Sequence, residues 1–89
     1  MYYVYILENA KGRFYIGHTD DPQRRLREHN DHDGKSHLGK YTHKHGPWKL
    51  VWTEPHPTRS AAMQREKQIK LWKSSARIGR ELLATDNQR

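Results

Sequence analysis

The chain has 89 residues, no cysteine, and 17 Lys and Arg against 10 Asp and Glu, for a formal charge of +7. This excludes disulfides, thiolate nucleophiles and thiolate zinc sites, and allows one domain with a thin core in which three Trp and five Tyr supply much of the buried area. The positive excess suits a polyanion, either nucleic acid or an anionic membrane surface, while the lack of a membrane-length apolar run or a leader pattern at Met1 points to a cytosolic protein.

Tyr2 to Leu7 is a dense run of aromatic and branched residues, expected as a strand buried on nearly both faces. Glu8 to Gly12 supplies the turn. A three-residue loop with Gly12 in the left-handed position pairs odd with odd residues and puts Tyr5 and Tyr15 on one sheet face, whereas a four-residue loop would separate them. Tyrosines in adjacent strands also pack simply for area, as Tyr2 and Tyr3 are expected to do. Phe14 to Gly17 then reads as a short strand leaving the sheet through a tight turn at Gly17.

Asp21 before Pro22 predicts an N-cap with proline in the first helical position. On the helix that follows, Pro22, Arg25, Leu26 and His29 share a face, so a guanidinium and an imidazole point the same way as the one strong apolar side chain. Either both snorkel past a thin core, or they form a site with a strand tyrosine. Asp31 to Pro47 has no period and exceeds the ~12 to 15 residues of an ordinary loop. Lys35, Lys40, Tyr41, Lys44 and Lys49 interleave cations with a ring, a pattern suited to phosphate contact and base stacking, or to a solvated loop. His37, His43 and His45 lack a second cluster, so structural zinc is not expected.

Trp48 to Thr53 alternates as a third strand, closed by Pro55 and Pro57. Thr58 caps a helix to about Lys73 with a buried stripe of Ala62, Met63, Ile69 and Trp72. Glu66 falls in that stripe, and a carboxylate there must be paired, protonated or bound to a cation; Lys70 at i+4 is the ordinary partner. Ala76 to Ala84, with Ile78, Leu82 and Leu83, predicts a last amphipathic helix, and Asp86 to Arg89 a frayed tail beyond a single domain of residues 1–85.

The order Tyr3-Val4-Tyr5, then Tyr15-Ile16-Gly17, then Arg25, His29 and a helical Glu66 resembles the GIY-YIG nuclease family, in particular its small stand-alone bacterial members, over Met1 to about Ser74. The resemblance implies an α+β fold, a three-stranded antiparallel sheet flanked by helices, and cleavage of phosphodiester bonds with one divalent cation, Mg²⁺ or Mn²⁺. Tyr3 stands where the first half-motif has glycine, and the asparagine that follows the glutamate in some members has no nearby counterpart.

By position, the resemblance implies Glu66 as metal ligand, Arg25 as phosphate clamp, Tyr5 as the base that takes a proton from water, and His29 as the competing base. Tyr15 would position water or phosphate. From their place in the chain, Gly17 is expected to permit close backbone approach, and His18 and Thr19, just beyond the turn, to touch substrate. A phenol serving as base must have its pKa lowered by surrounding cations. The expected partner is nucleic acid, DNA before RNA, with low sequence specificity, no obligate protein partner and a role in DNA repair or processing. The alternatives are a catalytically weak or inactive basic nucleic-acid-binding module and an adaptor that binds a protein partner through its aromatic surface.

Overall fold

The computed structural model describes residues 1–30 and 47–83. Three strands, β1 (Tyr2–Asn9), β2 (Phe14–Thr19) and β3 (Trp48–His56), form an antiparallel sheet in the order β2-β1-β3. Helix α1 (Pro22–His29) covers one face, and α2 (Arg59–Leu71) and α3 (Ser75–Ile78), the last widening into a π-helical turn over Gly79–Leu83, cover the other. The expected α+β architecture is therefore present. Expectations for Asp31 to Gly46 and for the tail, Lys35, Lys40, Tyr41, Lys44 and the loop histidines included, lie outside the described residues.

Burial of β1 on both faces explains its sequence. Val4 and Ile6 join Ala62, Ile69, Ile78 and Leu82 in one core, while Tyr5 and Leu7 pack with Trp48, Tyr15, Leu26 and Leu50 in the other. The hairpin is the three-residue type: Gly12 sits at φ 79°, its N–H donates to Asn9 O at 3.0 Å, and Asn9 N–H donates to Arg13 O at 3.0 Å. Asn9 Oδ1 also accepts from Arg13 N–H and Lys11 N–H, which fixes the loop from inside. The register pairs Tyr5 with Gly17 and Leu7 with Tyr15, so the two tyrosines share a face, as the three-residue loop requires.

Two strand ends differ from expectation. β2 does not turn at Gly17 but runs on to Thr19, because the chain reverses two residues later, where Thr19 Oγ1 accepts from Asp21 N–H at 3.1 Å. β3 passes through Pro55 to His56. It is an edge strand, so proline's missing N–H costs no ladder bond on the open side. Val51 forms a bulge, since Ile6 faces Trp52 while Leu7 faces Leu50.

Two helices start where their caps predict, with Asp21 accepting from Arg24 N–H and Thr58 from Ala61 N–H. The third starts at Ser75, one residue before the expected Ala76, because Ser74 accepts from Arg77 N–H and caps it. The buried stripe of α2 is narrower than expected, with Ala62 and Ile69 fully buried but Met63 49% exposed. Trp72 closes the end of α2 under the Arg77 guanidinium, 4.6 Å from the ring centre. The last helix is not regular: the backbone widens at Gly79, between the two buried residues Ile78 and Leu82. Among the described residues no helix is long and apolar enough to cross a membrane.

Asn30 ties α1 to the sheet. Its Oδ1 accepts from Trp48 N–H at 2.8 Å and its Nδ2 donates to Trp48 O at 2.9 Å, so one amide serves the start of β3 as a neighbouring strand would. Replacing Asn30 by Ala leaves both Trp48 groups without these bonds and is expected to cost about 1–3 kcal/mol, read as a lower urea midpoint at unchanged m-value.

Candidate active site

The site is assembled around Gly17. Tyr5, 2% exposed, projects from β1 across its partner Gly17, and a Cβ built at Gly17 would lie 2.7 Å from Tyr5 Oη and 2.8 Å from Cζ. Glycine here provides space, and the occupant of that space is the tyrosine ring. The backbone approach expected at Gly17 is thus already made from inside the protein. Tyr15 lies diagonal to Tyr5 on the same face, with ring centres 6.3 Å apart, and its ring stands 4.4 Å from that of His29.

α1 supplies the next two groups. His29 is fully buried, and its Nε2 lies 3.0 Å from Tyr5 Oη, so it sits behind the phenol and does not snorkel. Arg25, one turn earlier, is half-buried; its Nε–H donates to Thr19 Oγ1 at 3.3 Å and its Nη1 pairs with Glu28 Oε1 at 2.9 Å. The face predicted from helical spacing is the face that meets the sheet.

Glu66 comes from the opposite side of the sheet. Its carboxylate, 16% exposed, holds Lys70 Nζ on Oε2 and His18 Nδ1 on Oε1, each at 2.6 Å. His18 belongs to the α2 face of β2 through its pairing with Val4, whereas Tyr5, Tyr15 and Arg25 belong to the α1 face. The two groups meet because β2 is an edge strand and Gly17 leaves no side chain between them. A cleft of about 180 Å³ results, lined by Tyr5, Tyr15, Gly17, His18, Arg25 and Glu66. Lys49 is not brought there: it borders a separate hollow beside Gly12 and Trp48. Sequence reasoning found Lys70 as a partner of Glu66 but missed that His18 also bonds this carboxylate, and missed Glu28 on Arg25, which its i+3 spacing signals.

Burial dominates the electrostatics. The Tyr5 phenol is pushed upward, first by desolvation and then by Tyr15, and the opposing pull of Arg25 is smaller. The Arg25 cation by itself therefore does not produce the expected lowering. Burial, then Arg25, pushes His29 down from 6.5 to about 4, so its imidazole is neutral at physiological pH. A histidine with a lower pKa folded than unfolded binds its proton more readily once unfolded, so its contribution is complete above pH 6.5 and fades as the pH falls toward 4. Acidification through that window is expected to cost up to about 3 kcal/mol through this group. Urea midpoints measured across it should fall less steeply in His29→Gln, and an unchanged slope would assign the acid sensitivity elsewhere.

The donor set suits a hard cation held lightly. Among the described residues no three His, Asp or Glu cluster into a protein-built cage. Glu66 is the sole carboxylate among the residues lining the cleft. Mg²⁺ commonly takes one or two carboxylates and completes its shell with water and phosphate oxygens. Glu66 fits that demand, provided that Lys70, a mostly exposed side chain, swings aside.

The family model described as the GIY-YIG catalytic domain matches residues 1–79. A UPF0213 protein of Natronomonas pharaonis is 41% identical over 85 residues, covering 96% of this chain and 92% of that one. A UPF0213 protein of Halobacterium salinarum is 44% identical over 70 residues, covering 79% and 86%. The solution NMR structure of the UPF0213 protein from Bacillus halodurans is 41% identical, covers 79% of this chain and 71% of its own, and aligns with a TM-score of 0.45.

Proposed function

Because this chain belongs to the GIY-YIG nuclease family, we propose that it is a divalent-metal-dependent endonuclease that hydrolyses phosphodiester bonds in DNA with low sequence specificity. The observation that carries the reading is the convergence of Tyr5, Tyr15, Arg25 and Glu66 on one cleft with His29 directly behind Tyr5. Hydrolysis needs an activated water, neutralisation of phosphate charge and help for the leaving oxygen.

In this scheme Arg25 exchanges Glu28 for a phosphate oxygen, a task for its planar fork. Glu66 would hold Mg²⁺ or Mn²⁺, which supplies Lewis-acid stabilisation of charge on the phosphate and on the departing 3′ oxygen. Tyr5 need not become a free phenolate. It takes a proton from the attacking water as its own proton passes to Nε2 of the neutral His29, so the phenol stays uncharged in its buried setting. The water oxygen bonds to phosphorus, the phosphorus bond to the 3′ oxygen breaks, and Tyr15 orients the water or phosphate through its hydroxyl. His18 steadies Glu66.

A basic binding module is the second reading, favoured by one observation: Glu66 and Arg25 are both already paired within the chain. Such a module has no need of a cleft-facing carboxylate. The two separate on labelled single-stranded, duplex and branched DNA incubated with Mg²⁺ or Mn²⁺. Metal-dependent cutting supports the nuclease, with a role in DNA repair or processing. Salt-sensitive binding of all three with no cutting at any metal concentration supports the module.

A further inference from the structure

A second hollow adjoins the cleft and shares two of its walls. It holds about 200 Å³ and is lined by Tyr2, His18, Thr19, Asp20, Arg25 and Arg59. His18 and Arg25 also line the first cleft, so the two lie side by side at the end of β2. The second is smaller than the roughly 300 Å³ at which pockets begin to enclose drug-sized molecules, and its lining is polar and basic, which suits a small anion.

The charges within it are not equivalent. Asp20 is bonded to Arg24 Nη2 at 2.7 Å, and Arg25 is shared with Glu28. Arg59, exposed at the first position of α2, makes no ion pair among the described residues. It therefore presents a full cation to the hollow, beside a carboxylate already satisfied from its other side.

Resting on the nuclease reading, we infer that this hollow is a second phosphate subsite, held by Arg59, for the phosphate that adjoins the scissile one on the same strand. The strand then runs past the end of β2, with the reacting phosphate at Arg25 and its neighbour at Arg59. Substrates carrying two consecutive phosphates are selected over isolated diesters. Because Arg59 makes no ion pair within the described fold, its substitution removes binding energy without disturbing a structural bond.

The test is binding of a short fluorescein-labelled single-stranded DNA, followed by anisotropy without divalent metal over a series of salt concentrations. Arg59→Ala is expected to weaken binding about five- to tenfold and to lower the slope of log K against log salt by about one, with Arg59→Lys keeping the slope. As competitors, the dinucleotides pTpT and TpTp supply a second phosphate at either end of TpT. One of them should outcompete TpT severalfold on the wild type, and that advantage should vanish in Arg59→Ala. Neither outcompeting TpT, an advantage that survives Arg59→Ala, or an equal loss in the charge-matched control Arg80→Ala overturns the subsite. Arg59-dependent binding with no cleavage would sustain the subsite while the nuclease reading fails. Salt-independent binding by the wild type would remove both.

Discussion

Substituting Glu66 by Ala is expected to abolish metal-dependent cleavage, lowering the rate by at least about a thousandfold, while leaving the fold intact. Both carboxylate oxygens are engaged at 2.6 Å by His18 and Lys70, so the side chain is fixed in place before any metal arrives. The Lys70 half of this arrangement adds little to stability. Lys70 is 54% exposed, and an i,i+4 pair so placed contributes well under 1 kcal/mol. Glu66→Ala should therefore melt within a few degrees of the wild type and still bind oligonucleotide in a salt-dependent way. Glu66→Gln, which keeps the shape and removes the charge, should be nearly as inactive. Mn²⁺ binding followed by calorimetry should be lost in both variants. Retained metal-dependent cutting in either one would exclude Glu66 as the ligand.

Gly17→Ala is expected to damage both stability and activity, for a reason specific to this packing. Gly17 has no left-handed backbone requirement; Gly12 is the glycine with positive φ among the described residues. What Gly17 supplies is room, since an added Cβ would meet Tyr5 Oη and Cζ inside 3 Å. The phenol cannot retreat freely, because its ring is buried and its hydroxyl is bonded to His29. Overpacking of this kind costs about 1–3 kcal/mol. A displacement of Tyr5 near 1 Å would reduce cleavage about a hundredfold. Urea denaturation and initial cleavage rates check the two effects separately. In a double-mutant cycle with Tyr5→Phe, the stability penalty of Gly17→Ala should shrink, because part of the clash is with the hydroxyl. A Gly17→Ala protein as stable and active as the wild type would show that β2 yields easily here.

These two residues also mark where sequence reasoning succeeded and where it stopped. Glu66 was legible because a carboxylate on the apolar stripe of a helix needs a partner, a demand visible within a few turns of one element. Its partner Lys70 was legible at i+4, but His18 was not, because that contact joins residues 48 positions apart. Gly17 was legible as a constrained position and misread as a turn, since a strand glycine and a turn glycine leave the same trace in sequence. Met63 was misplaced for a related reason: helical period sets which residues share a face, but the line along which the sheet touches that face decides which of them it covers.

The sequence by itself determined the local geometry: the helix starts at Asp21 and Thr58, and the common face of Arg25 and His29. Each follows from backbone sterics or from hydrogen bonds spanning at most a few residues. Tertiary structure alone decided that the α1 face and the α2 face of the sheet meet at one cleft around the β2 edge, and that burial governs how Tyr5 and His29 hold their protons. Those outcomes depend on which elements lie against β2 and on how much water they exclude, quantities set by packing between segments far apart in the chain.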